Sequence, residues 1–345
     1  AGALALGAAA CGGSDNSTTA ATGGSGSKAG GSINGAGATF PQPVYSEWAT
    51  RFNEAAGTTV NYQGIGSGGG IAQFTAGTVD FGATDAVMKP DEEQAASAKG
   101  GQVLHIPWSA GGIAIEYNLD GVDELHLSPE TLAGIFAGKI TKWNDAALKA
   151  DNPDAKLPSA GIQVVHRSDG SGTTNALTSY LDTVAKSVWT VGAGKDVPWP
   201  TGQGAKGSDG VTALVKQTPG SIGYAEVSFA EQNSLGIAKI KNAAGKFVAP
   251  TGEAVAAALA GVDVPADLKI KPDYAVADPA AYPLATPTWV VVYAKPADAA
   301  KGKLLKAFLG YAITTGQASA DKLFYAPLPA SIAEKAKAAV DSIQA

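Results

Sequence analysis

From Ile33 to the C-terminus, short apolar runs alternate with stretches of helical periodicity, and this alternation restricts the chain to the α/β class. Strands are expected over 59–65, 79–84, 102–108, 113–119, 162–167, 221–227 and 288–294. Helices are expected over 43–56, 69–77, 129–138, 173–185, 210–219, 252–261 and 300–316. An amphipathic last helix, 331–345, follows Pro327 and Pro329. The chain's 345 residues suit two domains or one large one, and 45% hydrophobic residues suffice for a sizeable core. No short-period repeat is visible.

Charge and cysteine narrow the function. The formal net charge of −6 argues against a nucleic-acid surface, which draws its affinity from many Lys and Arg on phosphates. It also means that an anion bound here must be attracted locally. Cys11 is the single cysteine, so no intrachain disulfide or thiolate cluster can form, and His105, His126 and His166 leave little room for a histidine metal site. Residues 1–11, AGALALGAAAC, are small and apolar up to that cysteine, and a polar low-complexity tract over 12–30 reads as a flexible linker. The small residues before Cys11 resemble a bacterial lipobox. That resemblance implies a lipid on Cys11 and a globule tied to the outer face of the cell membrane; a free thiol in a tail is the plainer alternative. No later stretch holds the roughly 18 uninterrupted apolar residues of a membrane span.

Three segments place glycine and small hydroxyl residues just ahead of an expected helix. They are GAGATFPQPVY (35–45), GIGSGGGIAQF (64–74) and RSDGSGTTNAL (167–177). In the first, Gly35 and Gly37 suggest a tight turn, and Pro41 and Pro43 suit a helix entry. Helix N-termini expose unpaired N–H groups and a partial positive charge, and glycines admit a ligand close to the backbone. One such segment usually just turns; three together, with Arg167 heading the last, point to an anion site. No GxxxxGK[ST] loop is present, and GIGSGGG lacks the context of a dinucleotide fingerprint. His166, Asp169 and Ser171 make no nucleophilic triad: His166 and Arg167 alternate at a strand end and face opposite sides, and no GxSxG elbow occurs.

In this order the motifs INGAGATFPQPVY, VNYQGIGSGGGIAQF, TVDFGATDA, GKITKWND, RSDGSGTT, WPTGQGAKGSDGV and PGSIGYAE closely resemble the phosphate-binding protein of Pst-type ABC importers, from about Ile33 to the C-terminus. The resemblance implies a two-lobed periplasmic-binding-protein fold of type II. Each lobe is a mixed sheet flanked by helices, with the ligand in the cleft between them. Lobe I would hold 31–107 plus 286–345 and lobe II 108–285. The ligands it implies are Thr39, Phe40 (through its backbone N–H), Ser67, Asp85, Arg167, Ser171, Gly172 and Thr173, with Asp169 bracing the Arg167 guanidinium. Gly68 stands where relatives often carry a second serine. The partners implied are inorganic phosphate and the permease and ATPase subunits of an importer. A monomer is expected, with no cofactor, no metal, no catalytic residue and no nucleic acid.

The chemistry suits phosphate. Arg167 offers a planar fork to two oxygens, and hydroxyls and helix-end N–H groups serve the others. Asp85 is the informative residue: an ionised carboxylate only accepts hydrogen bonds, so it favours an anion that still carries a proton and disfavours sulfate. A turn-capping role is its plainer alternative. The rival functions are a receptor for another oxyanion, a phosphatase, which would need a metal cluster or activated nucleophile, and a phosphate-binding surface protein without a transport role. Trp143 and Trp199 read as packing residues, and His105 and His126 as structural.

Overall fold

One long strand, Val103–Asn118, runs through both halves of the fold. The computed structural model describes residues 30–345, so the stretch 1–11 with Cys11, and the 12–30 tract apart from Gly30, lie outside the described residues. The main sheet follows the order Thr58–Gly64, Gly31–Gly37, Phe81–Thr84, Ala285–Tyr293, Val103–Asn118, Ser221–Glu226, Gln163–Arg167, Gln203–Ala205. The first three strands are parallel, and Ala285–Tyr293 closes them antiparallel. Val103–Gly112 pairs with that strand, whereas Ile113–Asn118 pairs antiparallel with Ser221–Glu226. Gln163–Arg167 then lies parallel to both Ser221–Glu226 and Gln203–Ala205. Two mixed sheets flanked by helices thus share one strand.

That strand corrects the expectation of separate strands at 102–108 and 113–119. The intervening Ser109, Ala110, Gly111 and Gly112 stay extended because Ala285–Thr288 pair along them and Tyr325–Ala326 pair with Ala110 and Gly111. Their smallness serves packing: a Cβ on Gly111 would stand 2.9 Å from the Phe40 ring, and one on Gly112 would stand 2.8 Å from Pro250. Gly35 and Gly37 correct a second expectation. They end the strand Gly31–Gly37 and make no turn. A Cβ on Gly35 would fall inside the Phe81 ring, so the glycine lets that ring lie flat on the strand. The helix Pro90–Gly100 was not anticipated, because its polar, Ala-rich sequence buries only Ala96.

Aromatic residues fill the core of the first half. Trp108 lies against Tyr45 (centroids 4.0 Å apart), Trp48 and Phe308, all fully buried or nearly so. In the second half Trp199 stacks on His166 and meets Phe136, Trp189 and Tyr224, while the buried Trp143 donates its indole N–H to the Gly220 carbonyl at 3.0 Å. Both tryptophans are packing residues. His105 is also buried, its Nε2 accepting the Met88 N–H at 3.3 Å.

Two buried carboxyls on paired strands give stability a pH dependence. Burial raises Glu116 and Glu226 to about 8 each, against the hydrogen bonds from Thr212 and Ser228 respectively. The Oε1 atom of each is buried without a hydrogen-bond partner. Between about pH 4.5 and 8 the folded state therefore holds protons that the unfolded chain releases, and stability falls as pH rises through that window, by roughly 1.4 kcal/mol per pH unit per group. Thermal unfolding from pH 5 to 8.5 should show the midpoint falling, with a shallower fall in Glu116→Gln.

Candidate functional site

The helices beginning at Gln42, Ser67, Gly172 and Gly207 each follow the carboxyl end of a parallel strand: Gly31–Gly37, Thr58–Gly64, Gln163–Arg167 and Gln203–Ala205. Ligands in open α/β sheets gather at such ends, where the first N–H groups of the helices lack intrahelical partners. Here the ends from the two halves meet. The Gly172 N–H donates to Ser67 Oγ at 3.0 Å, and the Ser208 N–H donates to Thr39 Oγ1 at 3.0 Å, with the Ser208 and Thr39 hydroxyls 2.9 Å apart. The Gly68 N–H reaches the Gly170 carbonyl at 2.8 Å.

Glycines permit this approach. Gly66 sits at φ +85°, a conformation that L side chains rarely adopt, and a Cβ there would lie 2.2 Å from Asp169 Oδ2. A Cβ on Gly172 would meet the Asp85 backbone at 2.7 Å. A side chain at either position would push the halves apart.

Arg167, the last residue of its strand, is 3% exposed. Its Nε and Nη2 donate to the two oxygens of Asp169 at 2.7 and 2.6 Å, which leaves Nη1 directed to Ser208 Oγ at 3.5 Å. The bracing of Arg167 by Asp169 is thus present as geometry. Burial pushes the Asp169 carboxyl up, but the Arg167 bonds and charge, with the Gly207 N–H at 3.1 Å, outweigh it and hold the group below its ordinary range. Arg167 and Asp169 cancel in charge, so attraction for an anion comes from oriented N–H groups and helix ends more than from net charge.

Asp85 follows the strand Phe81–Thr84 and is 3% exposed. Thr288 Oγ1 donates to its Oδ1 at 2.9 Å, and Ser67 Oγ lies 3.5 Å from its Oδ2. Burial raises its carboxyl to about 7, opposed by the Thr288 hydrogen bond, the Arg167 charge and the Ser67 hydrogen bond.

Ser171 Oγ accepts the Thr174 N–H at 3.1 Å as an N-cap, which leaves its own proton to donate. Thr173 Oγ1 is buried with no hydrogen-bond partner, an orphan of the kind that calls for a polar ligand. Phe40 packs edge-on to Tyr325, and its carbonyl accepts the Tyr325 hydroxyl at 2.6 Å. Contacts thus link Thr39, Ser67, Asp85, Arg167, Asp169 and Gly172 across one seam, with Phe40, Ser171 and Thr173 beside them in the chain. Sequence reasoning missed Ser208, although GSDG at 207–210 shows the same pattern of a small hydroxyl residue opening a helix. It also missed Thr288 and Tyr45, whose hydroxyls lie 3.2 Å apart behind Asp85 and carry no local motif.

Among the described residues, no group of three or more His, Cys, Asp or Glu side chains gathers to hold a metal ion, and no helix is long and apolar enough to cross a membrane.

Residues 18–315 match the PBP superfamily domain. The phosphate-binding protein PstS of Xylella fastidiosa is 41% identical over 312 residues, covering 89% of this chain and 84% of that protein. The phosphate-binding protein PstS3 of Mycobacterium bovis is 38% identical over 99% of this chain and 96% of that protein. Among solved structures, the high-affinity periplasmic phosphate-binding protein PfluDING, bound with phosphate, superposes with a TM-score of 0.75 at 24% identity, covering 89% of this chain and 93% of that one. A putative phosphate ABC transporter substrate-binding protein with bound phosphate from Clostridium perfringens gives 0.64 at 21%, covering 86% and 100%. These likenesses assign the periplasmic-binding-protein fold that the shared strand and paired sheets describe. By its identity to the curated relatives, the chain belongs to the PstS family of phosphate-binding proteins, within the PBP superfamily.

Proposed function

We propose that the chain captures inorganic phosphate reversibly between its two halves, outside the bacterial cell membrane, and passes it to the permease and ATPase subunits of an ABC importer. One observation carries this reading: the buried Arg167 guanidinium and the buried Asp85 carboxyl lie at one seam beneath converging helix N-termini. Thr39, Phe40, Ser67, Asp85, Arg167, Ser171, Gly172 and Thr173 contact the ligand in this reading, with Asp169 fixing Arg167 and Ser208 as an additional donor. The orphaned Thr173 hydroxyl supports it, as do the bound ligands named for the solved relatives.

The two lobes, 31–107 plus 286–345 and 108–285, close over the anion by a hinge motion. The change of pairing partner along Val103–Asn118 supports a hinge in that strand. No bond is made or broken. The protein works as a monomer, held to the outer face of the membrane through a lipid on Cys11.

Uptake of labelled phosphate in a bacterial strain lacking its own receptor tests delivery. The chain should restore uptake, and Arg167→Ala should not. Equal rescue by both, or rescue by neither, would contradict the reading.

A further inference from the structure

Beyond the ligand site, a partly buried ion pair joins the two halves. Lys195 is 8% exposed, and its Nζ lies 2.6 Å from each carboxylate oxygen of Glu92. Each partner is held from behind. Glu92 sits in the first turn of the helix Pro90–Gly100, where the Lys89 N–H donates to its Oε2 at 2.8 Å. Lys195 accepts the Ser171 N–H on its backbone carbonyl at 2.8 Å. The neighbouring Gly194 N–H is bonded to Thr178 Oγ1, on the helix Gly172–Val184, at 3.1 Å. The pair therefore ties the element after Asp85 to the segment beside Ser171 and Gly172, next to the seam where Asp85 and Gly172 touch. Parting those surfaces would pull the lysine away from Glu92, since neither backbone is free to follow.

We infer that Glu92 and Lys195 form a closure latch that sets how fast the bound anion is released. The inference rests on the phosphate-receptor reading. The pair forms only after the halves meet, so it acts on the opening step and leaves encounter with the ligand unchanged.

The same helix provides an internal control. Glu93, the next residue, pairs with Lys269 Nζ at 2.7 Å. Lys269 follows Leu268, whose carbonyl accepts the Trp289 indole N–H at 2.8 Å. Trp289 lies in the sheet against Thr84 and Pro107. Although 269 falls within the 108–285 stretch, the Trp289 bond holds its segment on the sheet of the first half, so Glu93 and Lys269 should not separate when the halves part.

Stopped-flow phosphate binding to the full chain and its variants tests the latch. Glu92→Gln and Lys195→Met should each raise the release rate about tenfold, the scale expected for losing a charge-assisted pair, with the association rate within about threefold of the parent. The double variant should release no faster than either single variant, because the two residues act as one unit. Glu93→Gln should leave release unchanged. A release rate for Glu92→Gln within twofold of the parent overturns the latch and leaves the receptor reading intact. So does an equal acceleration in Glu93→Gln, which would mark a general loss of stability; melting of the phosphate-free proteins would show that loss directly. Failure of the parent itself to bind phosphate overturns the receptor reading and the latch with it.

Discussion

Arg167→Ala should weaken phosphate binding by roughly three orders of magnitude or more, the scale of deleting a buried, charge-assisted partner from a site whose other groups remain desolvated. Arg167 supplies the cation on the seam, and it is locked there by two hydrogen bonds to Asp169. The substitution removes the fork, and it also leaves a largely buried Asp169 without its counter-charge, which adds repulsion for any anion. Arg167→Lys separates these effects. It keeps the charge but loses the planar fork, so its affinity should fall between parent and alanine variant. Calorimetric titration of stripped protein measures all three, and melting curves show whether the variants remain folded. An affinity for Arg167→Ala within tenfold of the parent would remove Arg167 from the site.

Asp85→Asn should collapse the selectivity of phosphate over sulfate. In the proposed site, an ionised Asp85 accepts a hydrogen bond from a P–OH group, whereas sulfate would oppose lone pairs to lone pairs in a site with little water; while Asp85 is ionised, such a mismatch supplies roughly 10⁴-fold discrimination. Asparagine offers an N–H donor, and the ratio should fall to about a hundredfold or less. The raised carboxyl of Asp85, at about 7, adds a signed pH dependence. Below that pH the neutral acid is populated and can donate to a sulfate oxygen, so sulfate binding to the parent should strengthen from about pH 8 to about pH 5. In Asp85→Asn the same profile should be flat. Continued exclusion of sulfate by the variant would refute the hydrogen-bond-acceptor role, and a flat profile in the parent would show that Asp85 stays ionised across this range.

The site was more legible than the fold around it. The small hydroxyl residues before each helix are local signals, because an N-terminus needs acceptors and a close-approaching backbone needs glycine. Thr39, Ser67 and Ser171 could thus be picked out by position alone. Asp85 gained its meaning from the family motif, since nothing in VDFGATD itself says that the carboxyl will be buried. The reading failed where partners distant in sequence decide. Gly35 and Gly37 look like a turn until Phe81 is laid across the first and the Ala83 backbone against the second, and Ser109–Gly112 looks like a break until the strand Ala285–Tyr293 pairs along it. Thr288 and Tyr45 reach Asp85 only through the sheet and the first helix, and no spacing in the chain announces that contact. Ser208 is different, because its GSDG motif is visible in the chain. The Glu92–Lys195 pair spans 103 residues and is apparent only in three dimensions.

Calorimetric titration of the full chain, stripped of anion by unfolding and dialysis, with phosphate and then sulfate at about pH 8, tests the central claim most directly. Tight one-to-one binding of phosphate with no heat from sulfate is the predicted result. Comparable binding of sulfate would contradict the role of Asp85 and make the protein a general oxyanion receptor, and silence toward both anions would contradict the phosphate site altogether.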